Sequence, residues 1–370
     1  MRTLLLHLSL IDGVGPATIQ KIITRVGYTG FDEIYTMSVS DLMHMIGVSQ
    51  SVADAIYTGL ADVALLHKEL ELIAKHHITW TTSIDSDYPL HLKEIHLPPS
   101  VLYWQGGDLS VADHSIACIG SRQATSYAQR AIDILIPPLV DAGFTIVSGG
   151  ALGADTMAHI ATLQSGGKTI AVLGSGLLEP YPRSNIRLFE RIQKDSGIVL
   201  SAFPLNMQAL PGNFPARNRI IAGLSRGCLV VQAASKSGAL ITAEYALQQG
   251  REVFALPGIF DDQLSKGCHI LIKQGAHLVH CAQDILQEFG YVTVINKKNE
   301  LQNIPEHTIS VDNKPLSKHE LVMQACSEPK SIDALVLLLQ EDYTIVQQIL
   351  FDLHMQGLIS QDFTGKWYRV

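Results

Sequence analysis

A chain of 370 residues, 47% of them hydrophobic, is long enough for two or more packed domains and too apolar for disorder. Its net charge of −8 speaks against binding nucleic acid by bulk charge alone. The apolar run in "MRTLLLHLSLIDGVGP" is too short to span a bilayer and precedes no small-residue cleavage site, so neither a membrane span nor a signal peptide is expected. The five cysteines form no C-x-x-C pair, which predicts reduced thiols in a cytoplasmic setting and no metal site.

To about residue 75 the pattern predicts short helices. "IDGVGPATIQKIITRVG" places Pro16 where a first helical turn tolerates it, followed by apolar residues at helical spacing. "MIGVSQSVADAIYTGL" repeats the design less well. Both have the form of helix-hairpin-helix units, as in a SAM-like domain, whose glycine turn can offer backbone N–H groups to a phosphate. Residues 1–114 hold 6 basic and 13 acidic side chains, however, and this acidity favours a packed helical domain without nucleic-acid contact. A connecting piece follows, "TTSIDSDYPLHLKEIHLPPSVLYWQGG", punctuated by Pro98-Pro99 and Gly106-Gly107.

From residue 115 apolar strands alternate with helical patterns. "SIACIGSR", "FTIVSGG", "KTIAVLGSG", "IVLSAF", "GCLVVQAA" and "REVFALPG" read as strands. Between them lie the helical patterns "TSYAQRAIDILIPPLVDAG" (broken near Pro137-Pro138), "GADTMAHIATLQSG", "RSNIRLFERIQKDSG", "RNRIIAGLS" and "SGALITAEYALQQG". "SKGCHILIKQGAHLVH" adds a helix and a short strand. Strands apolar throughout, spaced by helices, predict a doubly wound, Rossmann-like parallel sheet within residues 76–292. A polar linker is expected at 293–315. Residues 316–370 then give three helices and a hairpin with a Thr-Gly turn, the form of a winged helix. Its third helix carries no Lys or Arg between Tyr343 and Gln361, which disfavours a DNA-reading role.

Ligands of such a sheet gather at the carboxyl ends of its strands. Four glycine-bearing turns belong there: Gly120-Ser121-Arg122, Ser148-Gly149-Gly150, Gly174-Ser175-Gly176 and Ser237-Gly238. Backbone N–H groups in such turns bind anions, and Arg122 adds a bidentate phosphate donor. No G-x-G-x-x-G follows a strand with an acidic residue after it, and no Walker A sequence is present, so no nucleotide cofactor is expected. "LPGNFPARNRIIAGLS" sets Phe214 beside Arg217, Asn218 and Arg219 at a helix start. No acidic residue occurs from Ser196 to Ala243. An aromatic beside basic groups with no acid nearby suits single-stranded nucleic acid. The alternative is a nucleotide N-glycoside hydrolase on the same fold, with Glu244 or Asp155 as the acid. No matched acid–base pair supports it. Asp155 reads better as a turn or capping residue, and His159 as a hydrogen-bonded interior histidine.

The runs "IGSRQATSYA", "SGGALGADTMAH", "TIAVLGSGLLEPYPRSN", "FPARNRIIAGLS", "SGALITAEYALQQGREVFALPG" and "SKGCHILIKQGA" strongly resemble the DNA-processing proteins of the DprA (Smf) family. The resemblance also covers the lead-in "DSDYPLHLKEIHLPPSVLYWQG" and the order of domains. It implies a non-catalytic protein that binds single-stranded DNA without a cofactor. It also implies protection of incoming strands in natural transformation and loading of the recombinase RecA on them. It places Arg122 and Lys168 together in the DNA pocket. It suggests a homodimer built on a self-complementary patch with His269 and Leu278, while Ile272 is expected in the core. Leu152 stands where the family usually has Arg. Ala202 and Gln232 stand where it usually has Glu, which removes acidic groups from the crevice.

Overall fold

The computed structural model describes residues 1–27, 31–291, 318–326, 330–339, 341–361 and 366–369. The chain divides into two compact units, Met1–Val294 and Ile295–Val370. The expected linker at 293–315 and the Thr-Gly turn of the terminal hairpin lie outside the described residues.

Among the described residues, nine strands make the sheet of the first unit. They are β1 (Thr79–Thr82), β2 (Val101–Gly106), β3 (Ser115–Ile119), β4 (Thr145–Ser148), β5 (Thr169–Val172), β6 (Ile198–Ser201), β7 (Gly227–Val230), β8 (Glu252–Ala255) and β9 (His277–Leu278). Their order is β1-β2-β6-β5-β4-β3-β7-β8-β9. Strands β3 to β9 run parallel, and β1 and β2 extend the sheet antiparallel beyond β6. The order reverses between β3 and β7, where an open sheet of this kind keeps its ligand crevice.

The apolar strands reflect burial on both faces. In β3, Ala117 and Ile119 join one core while Ile116 and Cys118 join the other, as a period of two requires. Helices Asn213–Leu224, Gly238–Gln248 and Lys266–Lys273 cover the first face through Ile220, Ile221, Ala243 and Leu271. Helices Ser126–Asp141, Ala154–Gln164 and Ala282–Glu288 cover the second through Ile132, Leu139, Ala158 and Ile285. Each fully buried Leu or Ile stabilises by about 1.5–3 kcal/mol.

The helix over Pro137 and Pro138 is unbroken from Ser126 to Asp141, contrary to the sequence expectation. Prolines there remove bonds to the carbonyls of Asp133 and Ile134. Both residues lie on the exposed face, where freed carbonyls are open to solvent. The opposite face stays anchored by Ile132, Leu135, Ile136 and Leu139.

The N-terminal segment is helical, as its pattern predicts. Helices Arg2–Ser9, Pro16–Val26, Val39–Ile46 and Gln50–Ala61 surround a core of Leu5, Leu8, Ile19, Ile22, Leu42 and Ile56, and helix Val63–Lys75 follows. Pro16 opens the second of them. Leu6, Leu66 and Ile73 pack with Tyr103 and Val199 of the sheet. The buried Glu69 accepts a hydrogen bond from the Leu205 amide at 2.9 Å.

In the second unit, helices Lys318–Ala325, Ile332–Leu339 and Tyr343–Met355 pack through Val322, Leu335, Val346 and Leu350. Strands β10 (Ile359–Gln361) and β11 (Trp367–Arg369) pair antiparallel beside them.

Candidate functional site

A crevice of about 480 Å³ opens at the carboxyl ends of β3 and β7. Four elements form it. The turn after β3 gives Gly120, Ser121 and Arg122. Helix Ala154–Gln164 begins at its floor with Asp155. Helix Asn213–Leu224 supplies Phe214, Arg217 and Asn218, and helix Gly238–Gln248 presents its N-terminus with Ser237 and Gly238. That N-terminus carries partial positive charge, and Ser237 caps it by accepting from the Ala239 amide at 3.2 Å.

The turn after β3 is locked from below. The Ser121 amide donates to the Gln232 carbonyl at 2.7 Å, and the Gln232 side chain accepts from the Thr125 amide at 3.0 Å. The Gln232 amide nitrogen faces an Asp262 carboxylate oxygen at 3.4 Å. A Glu here would set two carboxylates against each other. Gly153 has φ +77°, and a side chain on it would run into the carbonyls of Ser121 and Arg122.

Arg217 is a brace. It is 5% exposed, and its guanidinium donates to the carbonyls of Gly149 and of Val172, the latter at 2.8 Å. It thus ties the turn after β4 to the end of β5. Asp155 serves the same turn and accepts from the Gly149 and Ala151 amides at 3.2 Å each. Burial raises the Asp155 carboxyl and lowers the Arg217 guanidinium, while the opposite charge of each partner counters both shifts. Ser148 is buried and donates to the Cys118 carbonyl at 2.7 Å. Gly150 is buried and accepts from Asn185 at 2.9 Å. The third turn sits deeper still: Ser175 is buried, and the Gly176 amide donates to the Met207 carbonyl at 2.8 Å. Of the four expected turns, those at 120–122 and 237–238 line the crevice, Gly149 of the turn at 148–150 lines a shallow pocket beside it with Arg122 and Phe214, and 174–176 lies beneath.

Phe214 is half-buried at the mouth. Its ring lies on Gly174, where a Cβ would come within 2.9 Å of it, so only glycine lets the aromatic settle there. The guanidinium carbons of Arg122 and Arg217 stand 5.4 and 5.8 Å from the ring centroid. Tyr181 meets the ring at 5.9 Å. Leu152, 50% exposed, lines the same shallow pocket with Tyr181 and Pro182. Arg122 is the exposed cation of this group.

Two expected residues stand elsewhere. Lys168 directly precedes β5, at the amino edge of the sheet, and its charge acts on Asp108. It does not share a pocket with Arg122, because the two lie at opposite ends of parallel strands. Arg219 points to the far side of its helix and donates to the His96 carbonyl at 3.1 Å. Two residues along a helix turn a side chain by about 200°, so Arg217 and Arg219 cannot serve one crevice. Asn218 does face the crevice side and accepts from Arg217 Nε at 3.0 Å. The helix also begins at Asn213, earlier than the sequence suggests, with Pro215 in its first turn. Tyr181 is the residue the sequence reading missed; an aromatic next to a basic residue in "EPYPRSN" was the available signal.

The acids of a hydrolase are not assembled. Glu244 is exposed on the outer face of its helix, bonded to Gln248 at 3.2 Å. Asp155 is engaged by turn amides. His159 is fully buried, and burial lowers its pKa to about 3. The Thr169 hydroxyl donates to the Ile146 carbonyl, so His159 Nδ1 donates to Thr169 at 2.7 Å and the ring is neutral.

At one edge of the sheet, β9 is paired with β8 alone among the described residues, and Leu278 on it is 49% exposed. His269 Nε2 bonds main-chain groups of Gly258. Ile272 packs against the core. One close His/Cys/Asp group is found among the described residues, His280, Cys281 and Asp284. It caps helix Ala282–Glu288, with Asp284 accepting from the His280 and Cys281 amides.

A Rossmann-like sheet whose switch-point crevice offers an exposed arginine, a helix N-terminus and an aromatic face has the groups that an anion-binding site needs. Residues 79–290 match the family described as DNA recombination-mediator protein A. The chain belongs to that family, the DprA/Smf proteins of DNA processing and recombination. It is 44% identical over 230 residues to DNA processing protein DprA of Streptococcus pneumoniae, across 62% of this chain and 79% of that one. The X-ray structure of the Streptococcus pneumoniae protein superposes with a TM-score of 0.70 at 36% identity, over 79% of this chain and 99% of the other. A structure of DNA processing protein A from Helicobacter pylori, described for its single-stranded DNA binding mode, gives a TM-score of 0.51 at 29% identity over 58% and 96%.

Proposed function

We propose that the switch-point crevice binds single-stranded DNA. The observation that carries this reading is Phe214, half-buried at the mouth between Arg122, Tyr181 and a helix N-terminus. A base stacks on the ring, while Arg122 and the Gly238 amide at the helix N-terminus take the flanking phosphates. The single-stranded DNA binding ascribed to the Helicobacter pylori relative supports the same assignment. None of these contacts reads base edges, so mixed and homopolymeric strands bind within about tenfold of one another.

Family membership supports a wider role as well. The protein protects incoming single strands during natural transformation, in the cytoplasm, and loads RecA on them without catalysing a reaction. It acts as a homodimer through the patch at His269 and Leu278. The exposure of Leu278 on an edge strand supports that patch. Residues 1–75 serve as a helix-hairpin-helix or SAM-like domain and 316–370 as a winged helix joined by the 293–315 linker; neither end domain reads DNA. Three helices followed by an antiparallel strand pair support the winged-helix reading.

The test is binding of single- and double-stranded DNA across a salt series. Tight binding of the single strand with a steep salt slope, and weaker duplex binding, is the expected result. Equal binding of both forms would remove the stacking role of Phe214.

A further inference from the structure

A second concavity, of about 560 Å³, lies on the opposite face of helix Asn213–Leu224. Ala216 and Arg219 line it, whereas Phe214, Arg217, Asn218 and Ile221 line the crevice. Helix Gly238–Gln248 serves both sites. Gly238 stands at the crevice, and Tyr245 and Gln248 stand at the groove. Gln248 follows Gly238 by ten residues (248 − 238), which is about 15 Å along the axis. A single strand of a few nucleotides covers that distance.

The chemistry of the groove is cationic. Arg219 donates to the His96 carbonyl at 3.1 Å and Arg251 to the His91 carbonyl at 2.9 Å. Each guanidinium is held by one nitrogen, which orients it and leaves other donors over. Arg251 Nε is buried without a hydrogen-bond partner. Native folds leave few such atoms unbonded. Glu94 is the one carboxylate among the lining residues; it is largely exposed and 3.9 Å from Arg251, a loose pairing that leaves guanidinium donors open to a phosphodiester. Tyr245 adds an aromatic ring beside the arginines.

We propose that this groove is a second phosphate site, which takes a phosphate of the same single strand as it leaves the crevice along helix Gly238–Gln248. The proposal rests on the reading of the crevice as the single-strand site. Its consequence is length dependence: a strand confined to the crevice ignores the groove, and a longer one uses both.

The experiment measures anisotropy of labelled oligothymidylates of about 6 and about 20 nucleotides on the full-length protein. The variants are Arg219→Gln, Gln248→Lys and Arg122→Ala. Arg219→Gln should weaken the long strand about tenfold, one charge-assisted hydrogen bond, and lower its salt slope by about 0.7. The short strand should stay within about twofold. Gln248→Lys changes an exposed position beside Glu244 and should strengthen the long strand alone, so the proposal does not depend on Arg219→Gln folding well. Equal effects on both lengths, or none on the long strand, overturn the proposal. Binding of thymidine monophosphate that Arg219→Gln abolishes, without any length-dependent effect, would give the groove to a free nucleotide and also overturn it. If Arg122→Ala changes neither strand, the crevice reading falls, and the long-strand results of the other two variants still decide the groove.

Discussion

The two edges of the central sheet carry similar residues to different ends. At the amino edge stand Lys168, Arg226 and His114. Lys168 faces Asp108, and Arg226 bonds His114 Nδ1 at 3.2 Å. His114 Nε2 in turn meets the Tyr291 hydroxyl at 2.8 Å, and its ring packs on Phe144 at 4.0 Å. Arg226 and His114 are engaged by neighbours, whereas Lys168 is exposed and its charge acts only on Asp108 among the contacts described. At the carboxyl edge, Arg122 is exposed beside Phe214 and faces a helix N-terminus. Parallel strands with helical crossovers bring helix N-termini to one edge and C-termini to the other. Strand direction thus sets Arg122 beside a helix N-terminus and leaves Lys168, equally exposed, away from one.

Arg217 sharpens the contrast, because it sits at the binding edge and does structural work. Arg217→Met should leave Asp155 buried without its countercharge and the Gly149 and Val172 carbonyls unbonded. A loss of about 3–5 kcal/mol is expected from the urea midpoint. An unchanged midpoint would make Arg217 a ligand group and not a brace.

His159 tests the amino side, where it bonds Thr169 at the start of β5. Its folded pKa of about 3 lies below the unfolded value of 6.5, so only the unfolded chain takes up a proton between the two. Stability from this residue is present above pH 6.5 and is lost as pH falls toward 3. By pH 5 the loss is about 2 kcal/mol. Asp155 and Glu69, whose carboxyls burial raises, shift stability the other way, so the comparison is with His159→Asn, in which they are unchanged. Chemical denaturation at pH 7 and pH 5 should show the wild type losing about 2 kcal/mol more than the variant. Equal losses would mean that the ring is already solvated.

Arg122→Ala should cost about 1.4 kcal/mol of single-strand binding, or tenfold, with the urea midpoint unmoved. A drop in stability of the same size would transfer Arg122 to the structural class.

Much of this was legible in the sequence. The apolar runs from Ser115 to Leu278 mark the parallel strands because burial on both faces leaves no polar alternation. The glycine turns mark their carboxyl ends. Asp155 is a turn acceptor, as its place near a helix start suggests. What escaped was helix phase and depth. Arg217 and Arg219 look alike in "FPARNR", and only the register of a helix starting at Asn213 sends one inward and the other to the second groove. The burial of Ser148 and Ser175 depends on strands packed from distant segments. The continuity of the helix across Pro137-Pro138 depends on which of its faces meets solvent. Lys168 was separable in principle, since it precedes its strand.

The most direct test of the carboxyl edge as the binding edge is the salt slope of single-strand affinity, measured side by side for Arg122→Ala and Lys168→Ala. Arg122→Ala should flatten the slope by about 0.7 and Lys168→Ala should leave it at the wild-type value. A flattened slope in Lys168→Ala, with Arg122→Ala unchanged, would contradict it.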